Sequence, residues 1–331
     1  MSRGPGSGGT RVVFFGSGTF ALPILDALRA LPDMNVVAVA SAPDRPAGRG
    51  QSARSTPVTS AARDAGFPVL QPARLRDADA IADLAALQAE LGVLADYGRI
   101  VPPAVLALPE RGFLNVHPSL LPRHRGASPI PAVILANDPE TGVSIIEMGA
   151  GIDDGPVVAQ AAHVLNGDEI APELEARLAV LGAELLGRTL GPWLEGRQTA
   201  VPQDDDSATL TRPLRREDGR LDPALAASAL ERRVRAHAPW PGSYVETAAG
   251  RLNVDAATVM PARDGDAPGM LVADDDGFAL ATSDGRLRLD QVRLAGTRRM
   301  SGAELRRGRP ALVGSVVGAA DRSETAPPGA L

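Results

Sequence analysis

From residue 11 to about residue 190 the chain alternates short apolar runs with stretches of helical periodicity, and few architectures accommodate that alternation. Arg11–Phe15 (RVVFF) is an apolar run entering a turn at Gly16–Gly18, and Phe20–Leu31 follows with helical spacing. Val36–Ala40 predicts a second strand, Ser60–Ala65 a short helix, Val69–Leu70 a strand and Ala78–Leu87 another helix. Gly92–Ala95, Phe113–His117 and Val143–Met148 are further strand-like runs, and the Leu- and Ala-rich Pro172–Leu190 closes the series as a helix. Alternating strands and helices bury their apolar faces best as a doubly wound, mostly parallel α/β sheet with helices on both sides.

A boundary is expected at Pro202–Ser207 (VPQDDDS), where Pro meets an acidic run. Beyond it the texture changes. Ala224–Ala236 has helical spacing, but Tyr244–Glu246, Arg251–Asp255, Gly269–Ala273, Gly277–Ala281 and Leu287–Val292 are short strand-like runs separated by Gly and Asp. That pattern predicts a small, OB-like β-barrel. The expected organisation is a flexible lead-in at 1–10, an α/β domain at 11–203, a linker at 204–223, the barrel at 224–316 and a disordered tail at 317–331.

Composition narrows the function classes. Hydrophobic residues make up 44% and charged residues 22% of the 331 positions, the balance of a globular protein. No run approaches the roughly 20 apolar residues that span a bilayer, so no membrane partner is expected. The opening MSRGPGSGGT lacks the apolar segment of a signal peptide. There is no Cys, which removes disulfides, thiolate catalysis and thiolate metal sites and fits a cytoplasmic setting. All 34 basic residues are Arg, so Schiff-base and P-loop lysines are excluded too. The net charge of −6 argues against a nucleic-acid binder only if charge is spread evenly, and clustered Arg can overrule it.

Chemistry concentrates in two segments. In FLNVHPSLLPRHRGASPI, residues 113–130, a strand ends at Asn115-Val116-His117, and strand alternation puts Asn115 and His117 on one face. The carboxyl ends of parallel strands are where such sheets bind ligands. An amide donor and an imidazole there could polarise a carbonyl and shuttle a proton; equally, both could cap the strand and pair with loop backbone. The second segment, GAGIDDGPVV at 149–158, follows another apolar strand. Its Gly residues could bring backbone and an Asp side chain close to a substrate, and a carboxylate beside an imidazole orients the ring. Alone, Asp-Asp-Gly is a common turn.

Together the two segments resemble the folate-dependent formyltransferase family, whose hallmark is Asn-x-His at a strand end, a Ser-Leu-Leu-Pro-x-x-Arg-Gly loop and a downstream Asp-x-Gly. Here these are Asn115 and His117, Ser119-Leu120-Leu121-Pro122 with Arg125-Gly126, and Asp153-Asp154-Gly155. The resemblance implies that Asn115, His117 and Asp153 are catalytic and that Ser119, Leu120, Leu121 and Pro122 contact folate. Asp96-Tyr97-Gly98 resembles a wall of the pterin pocket, with Asp96 where the family usually has Ala. Three further matches resemble the members acting on methionyl-tRNA: Phe14–Leu28, the loop Pro43–Gly50 with Arg45 and Arg49, and Ala236–Gly242 (AHAPWPG) opening the C-terminal domain. Arg45 and Arg49, with Arg125 and the linker's Arg215 and Arg216, are the residues this resemblance offers to tRNA. The linker departs from the family at Pro213 and Leu221-Asp222-Pro223. The implied co-substrate is 10-formyltetrahydrofolate without a metal, the implied partners are reduced folate and initiator methionyl-tRNA, and the chain is taken as a monomer.

Gly16-Ser17-Gly18-Thr19-Phe20-Ala21 also satisfies the G-x-G-x-x-A dinucleotide pattern, but Val36–Ala40 runs into Ser41-Ala42-Pro43 with no acidic residue for a ribose. The NAD reading fails there. His124 is expected to be solvated or phosphate-facing, His163 and His237 structural, and Trp193 and Trp240 core or interdomain packing. Rival functions on the same first domain are a sugar-nucleotide formyltransferase and a formyltetrahydrofolate hydrolase; a non-catalytic tRNA-binding module is the rival from another class.

Overall fold

A computed structural model describes residues 9–47, 52–275 and 277–318. The chain divides into two compact units: the first takes the stretch to Val133 with Asp138–Asn166 and Glu173–Pro213, the second Ile134–Asn137, Gly167–Pro172 and the stretch from Leu214.

In the first unit the elements run β1 (Thr10–Gly16), α1 (Ala21–Ala30), β2 (Met34–Ala40), β3 (Arg45–Ala47), β4 (Ser52–Arg54), α2 (Pro57–Asp64), β5 (Val69–Leu70), α3 (Ala78–Ala86) and β6 (Leu91–Ala95). They continue through α4 (Pro103–Leu106), β7 (Phe113–His117), β8 (Arg125–Gly126), α5 (Pro129–Ala136, whose last residues count with the second unit), β9 (Glu140–Glu147), β10 (Val157–Val164), α6 (Ala171–Leu194, whose first two residues do likewise) and β11 (Leu210–Thr211). One sheet has the order β10-β9-β7-β6-β1-β2-β5. Strands β5, β2, β1, β6 and β7 are parallel, and β9 and β10 close one side antiparallel. Helices cover both faces, as expected. Val13 and Phe15 of β1 pack with Leu84 of α3 and Val105 of α4, while Gly182 of α6 lies close on Val116 and Val143 and beside Ile24 of α1.

The chain leaves β1 in one direction to β2 and returns on its other side as β6, so β1 and β6 flank a topological switch point, where doubly wound sheets place their ligands. The backbone amides of Ser17 and Gly18 both donate to the Asp96 carbonyl, at 2.9 and 3.2 Å, and tie the two strand ends together. The Pro202–Ser207 stretch, expected to part the domains, lies inside the first unit. The residues after it are drawn back, since Leu210 and Thr211 pair with Arg125 and Gly126.

The second unit holds α7 (Ala227–Ala236), β12 (Ser243–Thr247), β13 (Gly250–Met260), β14 (Leu271–Asp274), β15 (Gly277–Ala281), β16 (Arg286–Leu294), β17 (Met300–Ser301) and α8 (Gly302–Gly308). Its strands form one antiparallel, barrel-like sheet, β12-β13-β16-β15-β14, with β17 on β16. Pairing slips between Val254 and Ala257 of β13, and such bulges bend a sheet enough to curl it around a core. That core gathers Leu230 and Val234 of α7, Leu252, Phe278, Leu289 and Leu305. Ser301 and Glu304 form a reciprocal capping box that starts α8. The expected lead-in at 1–10 and tail at 317–331 fall almost wholly outside the described residues. Among the described residues no helix is long and apolar enough to cross a membrane.

Candidate active site

Strand β7 ends where the sequence pattern placed it, with Asn115 and His117 buried at 6% and 5% exposure. The Asp153 carboxylate meets both. Asn115 Nδ2 donates to Asp153 Oδ1 at 3.0 Å, the Gly126 backbone N–H donates to Oδ2 at 2.8 Å, and His117 Nδ1 stands 3.5 Å from Oδ2. Nε2 of His117 lies 3.0 Å from the carbonyl oxygen of His124. A carbonyl only accepts, so in this geometry Nε2 carries the proton. The second Nδ2–H of Asn115 has no protein acceptor among the described residues, which leaves a preset donor at the strand end.

Two loops build this cluster. Gly126 has φ +104°, and a Cβ there would stand 2.2 Å from the Thr211 carbonyl oxygen, so only Gly lets its amide reach Asp153. Asp153 itself has φ +50° and His124 φ +59°. Left-handed backbone at non-Gly residues costs roughly 1–3 kcal/mol each and persists only where neighbours hold it, typically at functional sites. For the loop carrying Asp153, the holder is Gln203, whose Nε2 donates to the carbonyls of Asp153 and Gly155, both at 2.7 Å. Gln203 is in turn fixed by Arg125, whose Nε donates to Gln203 Oε1 at 2.9 Å.

The Ser119–Pro122 loop lies next in the chain. Ser119 is fully buried and its Oγ donates to the Arg123 carbonyl at 2.7 Å. Ser144 of β9 donates to the Ser119 carbonyl and accepts from the Leu121 amide, at 2.6 and 3.0 Å. Gln160 of β10 bridges Ser144 Oγ and the Leu121 carbonyl, at 2.8 and 2.9 Å. Leu121 is buried as well, so Leu120 and Pro122 are the half-exposed side chains of this loop.

At the end of β6, Tyr97 turns into the core, 1% exposed, with its ring edge-on to Phe15 at 5.2 Å. Gly98 is exposed. Asp96, at φ +45°, is open to solvent over much of its surface, but its carboxyl end lies directly over the Gly18 Cα. Burial of that end, helped by the neighbouring Glu175 carboxylate, pushes the Asp96 carboxyl up to about 7. Glu175 also accepts from the Thr19 hydroxyl. The dinucleotide-like turn therefore has its Gly18 surface covered by a carboxyl group and its amides spent on the Asp96 carbonyl, which leaves no seat for a pyrophosphate.

Three expectations need correction. His124 is neither solvated nor phosphate-facing: it is 7% exposed, with Nε2 2.7 Å from Asp138 Oδ2. Arg125, offered to tRNA, is also buried, and its Nη2 pairs with Asp205 at 2.7 Å, so its guanidinium is spent inside the first unit. Trp240 is 55% exposed, not core. His237 is buried, as expected of a structural residue. Of the other residues offered to tRNA, Arg215 and Arg216 are exposed in the second unit. Arg45 opens the β3–β4 ribbon, paired in register with Arg54, and Arg49 lies outside the described residues.

Asp138, Ser144, Gln160, Gln203 and Thr211, which support the cluster, were not singled out from the sequence. A Ser inside the apolar run GVSII was a usable signal; a lone Gln or Asp in a polar loop carries none. Burial pushes the Asp138 carboxyl up, but hydrogen bonds from Arg123 and His124 outweigh it and hold it below the usual carboxylate range.

Comparison with known proteins shows the family. The formyl transferase family model matches residues 10–190, and the model of the formyl transferase C-terminal domain matches residues 213–310. A methionyl-tRNA formyltransferase of Roseiflexus castenholzii is 45% identical over 299 residues, covering 90% of this chain and 96% of its own. One from Paramagnetospirillum magneticum is 41% identical over 309 residues, covering 93% and 100%. Among solved structures, HypX from Aquifex aeolicus in complex with tetrahydrofolic acid shares the fold at TM-score 0.58 and 16% identity, over 89% of this chain, which spans about half (46%) of HypX. The N-formyltransferase from Helicobacter canadensis, solved with folinic acid and dTDP-3-aminofucose, gives TM-score 0.61 at 16% identity, over 85% and 98%.

Proposed function

The chain belongs to the formyl transferase family, and from that premise we propose that it moves the formyl group of 10-formyltetrahydrofolate onto the α-amino group of initiator methionyl-tRNA. The observation that carries the chemistry is the convergence of Asn115, His117 and Asp153 at one strand end. The choice of acceptor rests on 40–45% identity to methionyl-tRNA formyltransferases along both units.

The reaction asks for little. An α-amine titrates near 8 and an adjacent ester lowers it, so much of the acceptor is already nucleophilic at neutral pH. Its attack on the formyl carbon builds a tetrahedral oxyanion. The second amide hydrogen of Asn115 is set to donate to that oxygen, and one such donor is typically worth about 10²–10³ in rate. The attacking nitrogen, now an ammonium, gives up a proton, His117 relays a proton to the leaving folate nitrogen, and the bond from the formyl carbon to folate breaks, with Asp153 holding Asn115 and His117 by its two oxygens. Folate would lie against the Ser119–Pro122 segment and the Asp96–Gly98 turn at the ends of adjacent strands, with the buried side chains of Ser119 and Tyr97 supporting these walls from behind. Arg45, Arg49, Arg215 and Arg216 are the residues offered to tRNA phosphate, and Arg125 serves as an anchor of the Asp153 loop.

An acceptor panel tests the assignment. The enzyme is given 10-formyltetrahydrofolate with methionyl initiator tRNA, with an amino-sugar nucleotide, or with water alone, and the labelled formyl group is followed. Label on tRNA is expected; label only on the sugar nucleotide, or only in formate, overturns the acceptor.

A further inference from the structure

His124 is a residue the reaction has no obvious need for, yet it is among the most constrained in the first unit. Its ring is buried, its backbone is left-handed at φ +59°, and it touches three partners. The backbone N–H donates to Thr209 Oγ1 at 2.8 Å. The ring Nε2 meets Asp138 Oδ2 at 2.7 Å, and the other Asp138 oxygen receives Arg123 Nη2 at 2.6 Å. The carbonyl oxygen faces His117 Nε2 at 3.0 Å. A non-Gly residue at positive φ is uncommon, although His is among the types enriched there. The conformation is thus secured at both ends of the residue, and its effect is to aim one carbonyl at the reactive imidazole.

We propose that His124 is a positioning residue: locked to Asp138 through its ring, it presents its carbonyl to His117 and keeps the His117 proton on Nε2. This rests on the assignment of His117 to the reaction made above. The tautomer matters because the two imidazole nitrogens have different neighbours. Nδ1 stands 3.5 Å from the nearer Asp153 oxygen, long for a hydrogen bond, whereas Nε2 stands 3.0 Å from the His124 carbonyl, so the neutral ring gains more by carrying its proton on Nε2. Were the proton on Nδ1 alone, Nε2 would turn a lone pair toward the His124 carbonyl, oxygen against nitrogen with no hydrogen between. With the proton on Nε2, the ring is held by a hydrogen bond to the His124 carbonyl and enters the reaction in one tautomer. Which nitrogen of a histidine is protonated is ordinarily fixed this way, by the hydrogen bond made to one of them. Asp138 thereby acts on His117 through a neighbour's main chain, over a path of two hydrogen bonds.

The chain contains four histidines, 117, 124, 163 and 237, so ¹⁵N spectra of histidine-labelled protein resolve each ring. The wild-type protein is expected to show neutral His117 as the Nε2–H tautomer. Asp138→Asn, which keeps the shape of the side chain, and His124→Ala should each shift His117 toward a mixture of tautomers. Both should lower kcat about tenfold while KM for 10-formyltetrahydrofolate stays within twofold. Because the two residues act as one unit, the double variant should be no worse than His124→Ala alone. Thermal melting of each variant identifies loss of fold, and Asp138→Asn is the milder probe if His124→Ala melts early. A His117 tautomer unchanged in folded Asp138→Asn and His124→Ala overturns the proposal, as do rate losses that multiply in the double variant. The tautomer is read without substrate, so this outcome stands apart from any failure of the proposed reaction.

Discussion

Asn115 carries two amide hydrogens, and among the described residues only one of them meets a protein acceptor. Asn115→Ala should lower kcat by about 10²–10³ with folding intact, the usual loss for one oxyanion donor; near-wild-type turnover would return Asn115 to a strand-capping role. His117→Ala and Asp153→Asn are expected to lower kcat too, with little change in tRNA affinity. Asp96 gives a prediction in stability. Its carboxyl titrates at 3.8 when unfolded and at about 7 when folded, so between those values the folded state holds a proton that the unfolded state has lost. Stability from this group is therefore full below the lower value, falls as pH rises through the window and is flat above about 7. Asp96→Asn should melt higher than wild type at neutral and alkaline pH and converge with it in acid; parallel melting curves would contradict the burial of that carboxyl. The sequence exposed the residues proposed to react because strand alternation is a local rule, and Asn115-x-His117 obeys it. It hid the conformations of Asp96, His124 and Asp153, since left-handed backbone at a non-Gly residue is imposed by partners distant in the chain, such as Asp138 and Gln203.

At the scale of elements, long periodic segments were legible and short or edge elements were not. Helix α6 and strand β7 follow from apolar periodicity, whereas β10, VVAQAAHV, is an Ala-rich edge strand whose composition says little about strand formation. Helix α5, PIPAVILA, opens on two prolines and reads as a loop despite its apolar content. The pairing of β8 with β11 joins Arg125 to Leu210 and Gly126 to Thr211, 85 residues apart in each case and beyond any local pattern. That pairing is testable at Gly126, where Ala would meet the Thr211 carbonyl at positive φ. Gly126→Ala should cost at least about 1 kcal/mol of stability and reduce turnover, because the amide that fixes Asp153 is displaced; an unaltered melting temperature and rate would show that the β8–β11 contact is dispensable. The β3–β4 ribbon and its connection carry the acceptor prediction. Arg45→Ala combined with Arg49→Ala should weaken tRNA use and reduce its log–log salt slope by about one to two, since each phosphate contact releases counterion. Folate binding should hold, and an identical salt series for both proteins would remove this loop from the tRNA-binding surface.

On the scale of the whole molecule, the chain pairs a sheet that builds the candidate active site with a barrel-like unit matched by its own family model. The first unit alone suits any acceptor amine, because the proposed chemistry needs only the Asn115 donor, the His117 relay and the Asp153 tether; selection of a charged tRNA requires more surface than one crevice provides. The central claim is therefore that a single site transfers formyl specifically to methionyl-tRNA. Single-turnover transfer from labelled 10-formyltetrahydrofolate to charged initiator tRNA, with wild type and His117→Ala in parallel, tests it most directly. Labelled formylmethionyl-tRNA is expected from the wild type, with at least about a hundredfold slower appearance from the variant. Label released as formate by the wild type, or transfer to tRNA at equal rates by both proteins, would contradict it.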